Sequence, residues 1–202
     1  MARPTMTALR RLRAAGWRVL LVTGRMVDDL LGVFGEVGVC DLVVAENGAV
    51  LFNPAAGWIK TLAPPPRPAF LEELRNRQVH FSVGRAVVAT DAPYEERVRG
   101  AIRQLGLDLE LALNKGAVMV LPRGVDKRSG LQAALDELGL APAQVVGVGD
   151  GENDQPFLEL CGRSVAVANS VPALLRKADL VTQGERGAGV QELVRRLLDS
   201  QT

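Results

Sequence analysis

Short apolar runs that stop abruptly at a glycine or a charged loop recur at both ends of this sequence, and that rhythm constrains the fold more than any other feature. Trp17–Val22 stops at Thr23-Gly24-Arg25, and Asp41–Ala45 stops at Glu46-Asn47-Gly48. Toward the other end, Val145–Asp150, Ser164–Ala168 and Leu180–Thr182 are runs of the same kind. Between them the spacing is helical. Leu9 and Leu12 mark one face of a helix ended by Gly16, Asp28–Phe34 forms a short helix, and Leu131, Leu135 and Leu138 mark a third. Near-continuous apolar runs suit strands buried on both faces, so strand alternating with helix predicts an α/β fold with a parallel sheet covered by helices.

The middle of the chain has another rhythm. Pro54 and the Pro64-Pro65-Pro66 cluster punctuate it. Strands are expected near Trp58–Leu62, Phe81–Thr90, Leu109–Leu113 and Ala117–Leu121, with helices near Pro68–Arg77 and Glu95–Leu105. Residues 54–122 therefore read as an inserted α+β cap, and residues 1–53 and 123–202 as one core domain, the chain returning through Pro122-Arg123-Gly124.

Composition narrows the function classes. Hydrophobic residues make up 48% of the 202, enough for a full core. Lysine and arginine number 24 against 23 acids, so no net field attracts nucleic acid or an anionic membrane, and a small molecule is the expected partner. Cys40 and Cys161 lack metal-ligand spacing and suit a reducing compartment. With no apolar run long enough to span a bilayer, a cytoplasmic location is expected. The sole histidine, His80, excludes a histidine triad or a multi-histidine metal site.

The strongest local signal is Gly147-Val148-Gly149-Asp150-Gly151-Glu152-Asn153-Asp154. Asp150 at a strand end and Asp154 four residues on can converge on magnesium, which accepts one or two carboxylates and completes its shell with water and phosphate oxygens. The same pair could equally fix the turn and cap the next helix. Glu152 stands where a dinucleotide fingerprint needs its third glycine, so that reading is dropped. Thr23 and Gly24 lie at a strand's carboxyl end, where open α/β sheets bind ligands, although Thr-Gly there is also an ordinary turn. Lys127 heads a helix against the macrodipole, a placement that suits holding an anion and that a solvated lysine also satisfies.

Taken in order, Leu20–Arg25, Ala45–Ala49, Gly124–Lys127 and Gly149–Asp154 resemble the motifs of the capped haloacid dehalogenase-type phosphatases. The likeness spans nearly the whole chain. It is greatest to the branch (type IIB) whose cap lies between the second and third motifs, which includes sucrose-phosphate, mannosylphosphoglycerate and one kind of phosphoglycolate phosphatase. That resemblance implies a Rossmann-like parallel core and a Mg²⁺-dependent phosphomonoester hydrolase acting on a small phosphorylated metabolite. Thr23 would bind the transferring phosphoryl group and Lys127 would neutralise it. Asp150 and Asp154 would hold Mg²⁺ directly or through water. Gly24, Arg25, Asn47 and Asn153 would line the substrate site. His80, Phe81, Arg85, Asn114 and Lys115 are candidate cap contacts, each of which also reads as packing or surface.

One motif of that family is not found. The family opens with a strand ending in Asp-x-Asp-Gly-Thr, whose first aspartate is the nucleophile and second the general acid. The sequence from Met1-Ala2-Arg3-Pro4-Thr5 resembles the segment after it. The expectation is a sheet without its central strand, between the strands ending at Thr23 and Asp150, and a chain impaired in catalysis. A start placed downstream of the true one, a homologue that has lost the strand and a shortened chain all fit. Asp91, which reads as a turn residue before Pro93, is no substitute. A noncatalytic protein that binds a phosphorylated metabolite is the alternative, and a receiver-like regulatory domain is disfavoured by the cap. The sequence sets no oligomeric state.

Overall fold

Local signals place the first helix. Pro4 sits in the first turn of α1 (Arg3–Ala14), arginines occupy the last turn, and Gly16 at φ 90° ends the segment. A computed structural model describes residues 2–114 and 116–200, the side chain of Asn114 apart. After α1 come β1 (Leu20–Val22), α2 (Val27–Val33), β2 (Leu42–Ala45), β3 (Val50–Asn53) and β4 (Trp58–Thr61). The central stretch holds α3 (Pro68–Asn76), β5 (Ser82–Val83), β6 (Val88–Asp91), α4 (Glu95–Gln104), β7 (Leu109–Asn114) and β8 (Ala117–Pro122). The chain closes with α5 (Lys127–Leu138), β9 (Val146–Gly149), α6 (Gln155–Leu158), β10 (Arg163–Ala166), α7 (Pro172–Lys177), β11 (Leu180–Val181) and α8 (Arg186–Asp199). Among the described residues no helix is long and apolar enough to cross a membrane.

The strands form three sheets. One has the order β1-β2-β3-β4, with β1 and β2 parallel and the next two pairs antiparallel. The second, β11-β10-β9, is wholly parallel. The third, β5-β6-β8-β7, is antiparallel. The fold is the α/β architecture expected from the alternating runs, with an addition. Gly48 at φ 110° reverses the chain after β2, so β3 and β4 fold back onto the first sheet. The strand near Trp58 was expected in the cap; it pairs with β3, and the first sheet therefore runs on to Thr61.

The third sheet uses its two-residue period to face two ways. Val88 and Val120 pack with Phe70, Leu74, Val98 and Ile102 from α3 and α4. Met119 and Leu121, on the opposite face, pack with Val43 and Ala45 of the first sheet's cluster. The expected single run Phe81–Thr90 divides into β5 and β6 around the turn at Gly84.

Helix α5 joins the first two sheets. Asp126 caps it in a reciprocal arrangement with Ser129, and Gly139 in left-handed backbone ends it. Its Leu131 and Leu135 pack with Phe157, Leu158 and Ala166, whereas Ala134 packs with Leu42, Val44 and Leu51. Leu20 and Val22 of β1 touch both clusters. Among the described residues β1 pairs with β2 alone and β9 with β10 alone. The boundary between β1 and β9, whose Val22 and Val148 line one cavity, forms a seam.

Candidate active site

At the carboxyl end of β1 the Thr23 N–H donates to the Val44 carbonyl at 2.8 Å, the last rung before the chain turns. The Thr23 hydroxyl accepts the Arg25 N–H at 3.2 Å, and the Arg25 guanidinium reaches Asp29 at 2.6 Å. A side chain at Gly24 would place its Cβ 3.2 Å from the Met119 sulfur, so this loop lies directly under the third sheet. The turn after β2 is tied to it. Glu46 donates its N–H to the Arg25 carbonyl at 2.9 Å, and Asn47 donates to the Thr23 carbonyl at 3.0 Å.

That turn also locates Lys127. A Cβ at Gly48 would fall 1.8 Å from the Asp126 carbonyl oxygen, and one at Gly130 would fall 2.4 Å from Gly48 Cα. Two glycines in contact bring the start of α5 against the end of β2. Lys127 is buried there, its ammonium 2.5 Å from Asp154 Oδ1. The second oxygen, Asp154 Oδ2, accepts the N–H groups of Asp150 at 2.8 Å and Gly151 at 2.9 Å. Asp154, not Asp150, therefore fixes the turn, and its side chain makes no cap bond to α6 while it also holds the lysine. Across the seam the Asn153 amide donates to Asn47 Oδ1 at 3.0 Å. Asn153 Oδ1 is buried with no partner among the described residues.

These residues surround one cavity of about 710 Å³. Thr23, Gly24, Arg25, Lys127, Asp150, Asn153 and Asp154 line its core side; Ser82, Ala89, Ala112, Ala117 and Met119 of the third sheet line the other. Asn47 reaches it through Asn153. The candidate cap contacts lie elsewhere: the His80 ring meets Tyr94 at a tilt with centroids 5.6 Å apart, Phe81 packs with the α3 and α4 cluster beneath Arg75, and Arg85 pairs with Asp28 at 3.7 Å. Lys115 and the Asn114 side chain lie outside the described residues. Reading the sequence missed Met119 and the small residues around it, because an inward-facing alanine carries no chemical signal.

The donor set limits the metal. Among the described residues no three of His, Cys, Asp and Glu cluster tightly enough to form an all-protein cage. Asp154 already has both oxygens engaged, so it would act on a cation through water, with Asp150 as the other carboxylate on the cavity wall. Two carboxylates beside a roomy cavity fit magnesium, which keeps much of its water. Neither cysteine competes as a nucleophile. Burial pushes Cys40 up to about 12 and Cys161 up to about 11, so both stay thiols near neutrality.

Residues 2–83 and 111–194 match the model of the haloacid dehalogenase-like hydrolase family. The chain belongs to that family. It is 34% identical over 199 residues to a phosphoglycolate phosphatase of Methanothermobacter thermautotrophicus, covering 95% of this chain and 88% of that one. A phosphoglycolate phosphatase of Haloarcula marismortui is 33% identical, with 88% of this chain and 82% of that one covered. Solved structures agree on the fold. A haloacid dehalogenase-like hydrolase from Bacteroides thetaiotaomicron superposes with a TM-score of 0.83 at 18% identity, covering 97% of this chain and 92% of that one. A subclass IIB sugar phosphatase of the superfamily gives 0.73 at 16% identity, covering all of this chain and 92% of that one. These relatives support a phosphatase-type hydrolase within the haloacid dehalogenase family.

Proposed function

We propose that this protein is a magnesium-dependent phosphomonoester hydrolase of small phosphorylated metabolites, with phosphoglycolate, the compound for which its relatives are named, as the first candidate substrate. One observation carries the reading: the buried Lys127 ammonium is held on Asp154 at the wall of the cavity that Thr23, Gly24 and Asp150 also line. Phosphoryl transfer depends on positioning and on charge stabilisation, and these groups supply both. The Thr23 hydroxyl and the Gly24 N–H hold phosphoryl oxygens, and Lys127 balances their charge. Asp150 and Asp154 hold the cation, while Asn47 and Asn153 shape the wall between the two sheets. Magnesium, when bound, adds positive charge at the same oxygens.

The remaining requirement is a nucleophile. By its family resemblance the reaction uses a carboxylate that attacks phosphorus, while a second carboxylic acid protonates the departing alcohol and water then releases phosphate. Neither Thr23 nor Lys127 replaces that carboxylate. We place it on an extended segment laid between β1 and β9, each of which has one strand partner among the described residues and can accept another. Without such a segment the chain binds phosphate esters and turns them over poorly, which would make it the noncatalytic binder of the alternative reading.

Phosphate release from phosphoglycolate and a broad ester panel in Mg²⁺ tests this, using the 202-residue chain and one extended at its N-terminus by a strand ending in Asp-x-Asp-Gly-Thr. Turnover by the extended chain, with ligand-induced stabilisation alone in the shorter one, is expected. An extended chain that is folded and hydrolyses nothing would falsify the phosphatase reading. Full turnover by the shorter chain would sink the strand requirement.

A further inference from the structure

Glu46 is 1% exposed and sits in left-handed backbone, φ 51°, at the end of β2. Both facts are costly. A buried carboxylate must be hydrogen-bonded, and a side chain other than glycine, asparagine or aspartate rarely adopts that backbone. Its partners are two main-chain groups of the third sheet: one oxygen accepts the Arg85 N–H at 2.9 Å and the other the Ala86 N–H at 2.9 Å. Residue 84 leaves room for the carboxylate only as glycine, since a Cβ there would lie 2.6 Å from Glu46 Oε2.

The main chain of the same residue faces the opposite way. Its N–H donates to the Arg25 carbonyl, and the next N–H, of Asn47, donates to Thr23. Glu46 therefore connects the loop proposed to hold phosphate with the turn between β5 and β6. β6 carries Ala89 and pairs with β8, which carries Ala117 and Met119, all on the cavity wall. Arg85, in the gripped turn, adds an outer contact to Asp28 of α2. An acid serving packing alone would need neither the left-handed backbone nor acceptors aimed at two successive amides.

We propose that Glu46 is a positioning residue: it grips the Gly84–Ala86 turn and so sets the distance of the alanine and methionine wall from Thr23 and Lys127, which decides the size of leaving group admitted. The consequence for substrate choice rests on the phosphatase reading, but the grip itself does not.

Amide hydrogen exchange followed by NMR on the 202-residue chain tests the grip without turnover. In the unsubstituted protein the Arg85 and Ala86 amides are expected to be protected although they lie in a turn. Glu46→Gln leaves one acceptor oxygen for two N–H groups. Gly84→Ala presses on the carboxylate from the other side and leaves the core sequence intact. In each, exchange at residues 85 and 86 should rise about 10- to 100-fold, the loss of a charged hydrogen bond, with Val43 and Val44 unchanged. Unprotected amides in the starting protein, or unchanged protection in a folded variant, overturn the proposal.

In the extended chain the same variants should narrow the preference for phosphoglycolate over a bulkier sugar phosphate by about tenfold, through KM more than kcat. A proportional loss on both substrates would assign Glu46 to stability alone. If the extended chain hydrolyses no ester, the phosphatase reading falls while the exchange result still decides the grip.

Discussion

Strands β1 and β2 are parallel neighbours of almost the same composition, Leu-Leu-Val beside Leu-Val-Val-Ala, yet they live in different surroundings. Every residue of β2 is buried, whereas all three of β1 are half-buried. β9, across the seam, resembles β1 more than β2. The difference lies in neighbours. β2 has a strand on each side and α5 above it, and β1 has a strand on one side only among the described residues. A run apolar on both faces is suited to the middle of a parallel sheet, a setting that β2 has and that β1 and β9, each with one strand partner among the described residues, do not.

The largest expected effect comes from closing the seam. Because the Thr23 N–H points to β2, strand alternation turns the Val22 N–H toward the seam. An added strand ending in Asp-x-Asp-Gly-Thr should slow exchange of that amide by about 100-fold or more, while Val44 changes little. Equal slowing of both would mean that the strand stabilises the whole molecule without filling the seam.

Next is the ion pair at the seam's upper end. Lys127→Met leaves Asp154 buried beside two amides and should cost about 3 kcal/mol in urea unfolding; adding Asp154→Leu should fail to double that loss, because the charges are coupled. In the extended chain Lys127→Met should also lower kcat by about 100-fold or more.

A smaller effect separates the two strands themselves. Leu20 and Leu42 are register partners, so Leu42→Ala should cost about 3 kcal/mol and Leu20→Ala about 1 kcal/mol, read from urea midpoints. Equal costs would show that the seam is closed in solution.

The smallest effect is acid sensitivity, and it falls on one side. Hydrogen bonds from the Ser164 N–H and hydroxyl lower the Asp179 carboxyl, those from the Gly184 and Gln183 N–H groups lower Glu192, and Gln155 with Lys177 lowers Glu159. Groups depressed by folding stabilise above their unfolded values, about pH 4, and lose that contribution as pH falls through the folded ones. All three lie beside the second sheet. Near pH 3, exchange at Ser164 and Val165 should therefore accelerate before exchange at Val43 and Val44.

Much of this arrangement was legible beforehand. Apolar runs ending at Thr23, Glu46 and Asp150 marked strand ends, and the ends of parallel strands come together because right-handed crossovers return each strand in the same direction. Thr23, Lys127, Asp150 and Asp154 do surround one cavity. The β2-β3-β4 meander was not legible, since its reversal depends on Gly48 and Pro54 looked like a boundary. Nor was the division of Phe81–Thr90, which depends on Glu46, a residue some forty positions away.

Outside the β2-β3-β4 meander and the divided Phe81–Thr90 run, the sequence by itself determined which segments are strands and helices and which chemical groups stand at the strand ends, because periodicity and turn chemistry are local properties. Only the tertiary structure decided that Asp154 divides its oxygens between Lys127 and two amides, that Glu46 accepts the Arg85 and Ala86 N–H groups, and that β1 is half-covered beside a buried β2. Those outcomes depend on contacts between residues distant along the chain, and no local pattern encodes which side of an apolar strand will find a neighbour.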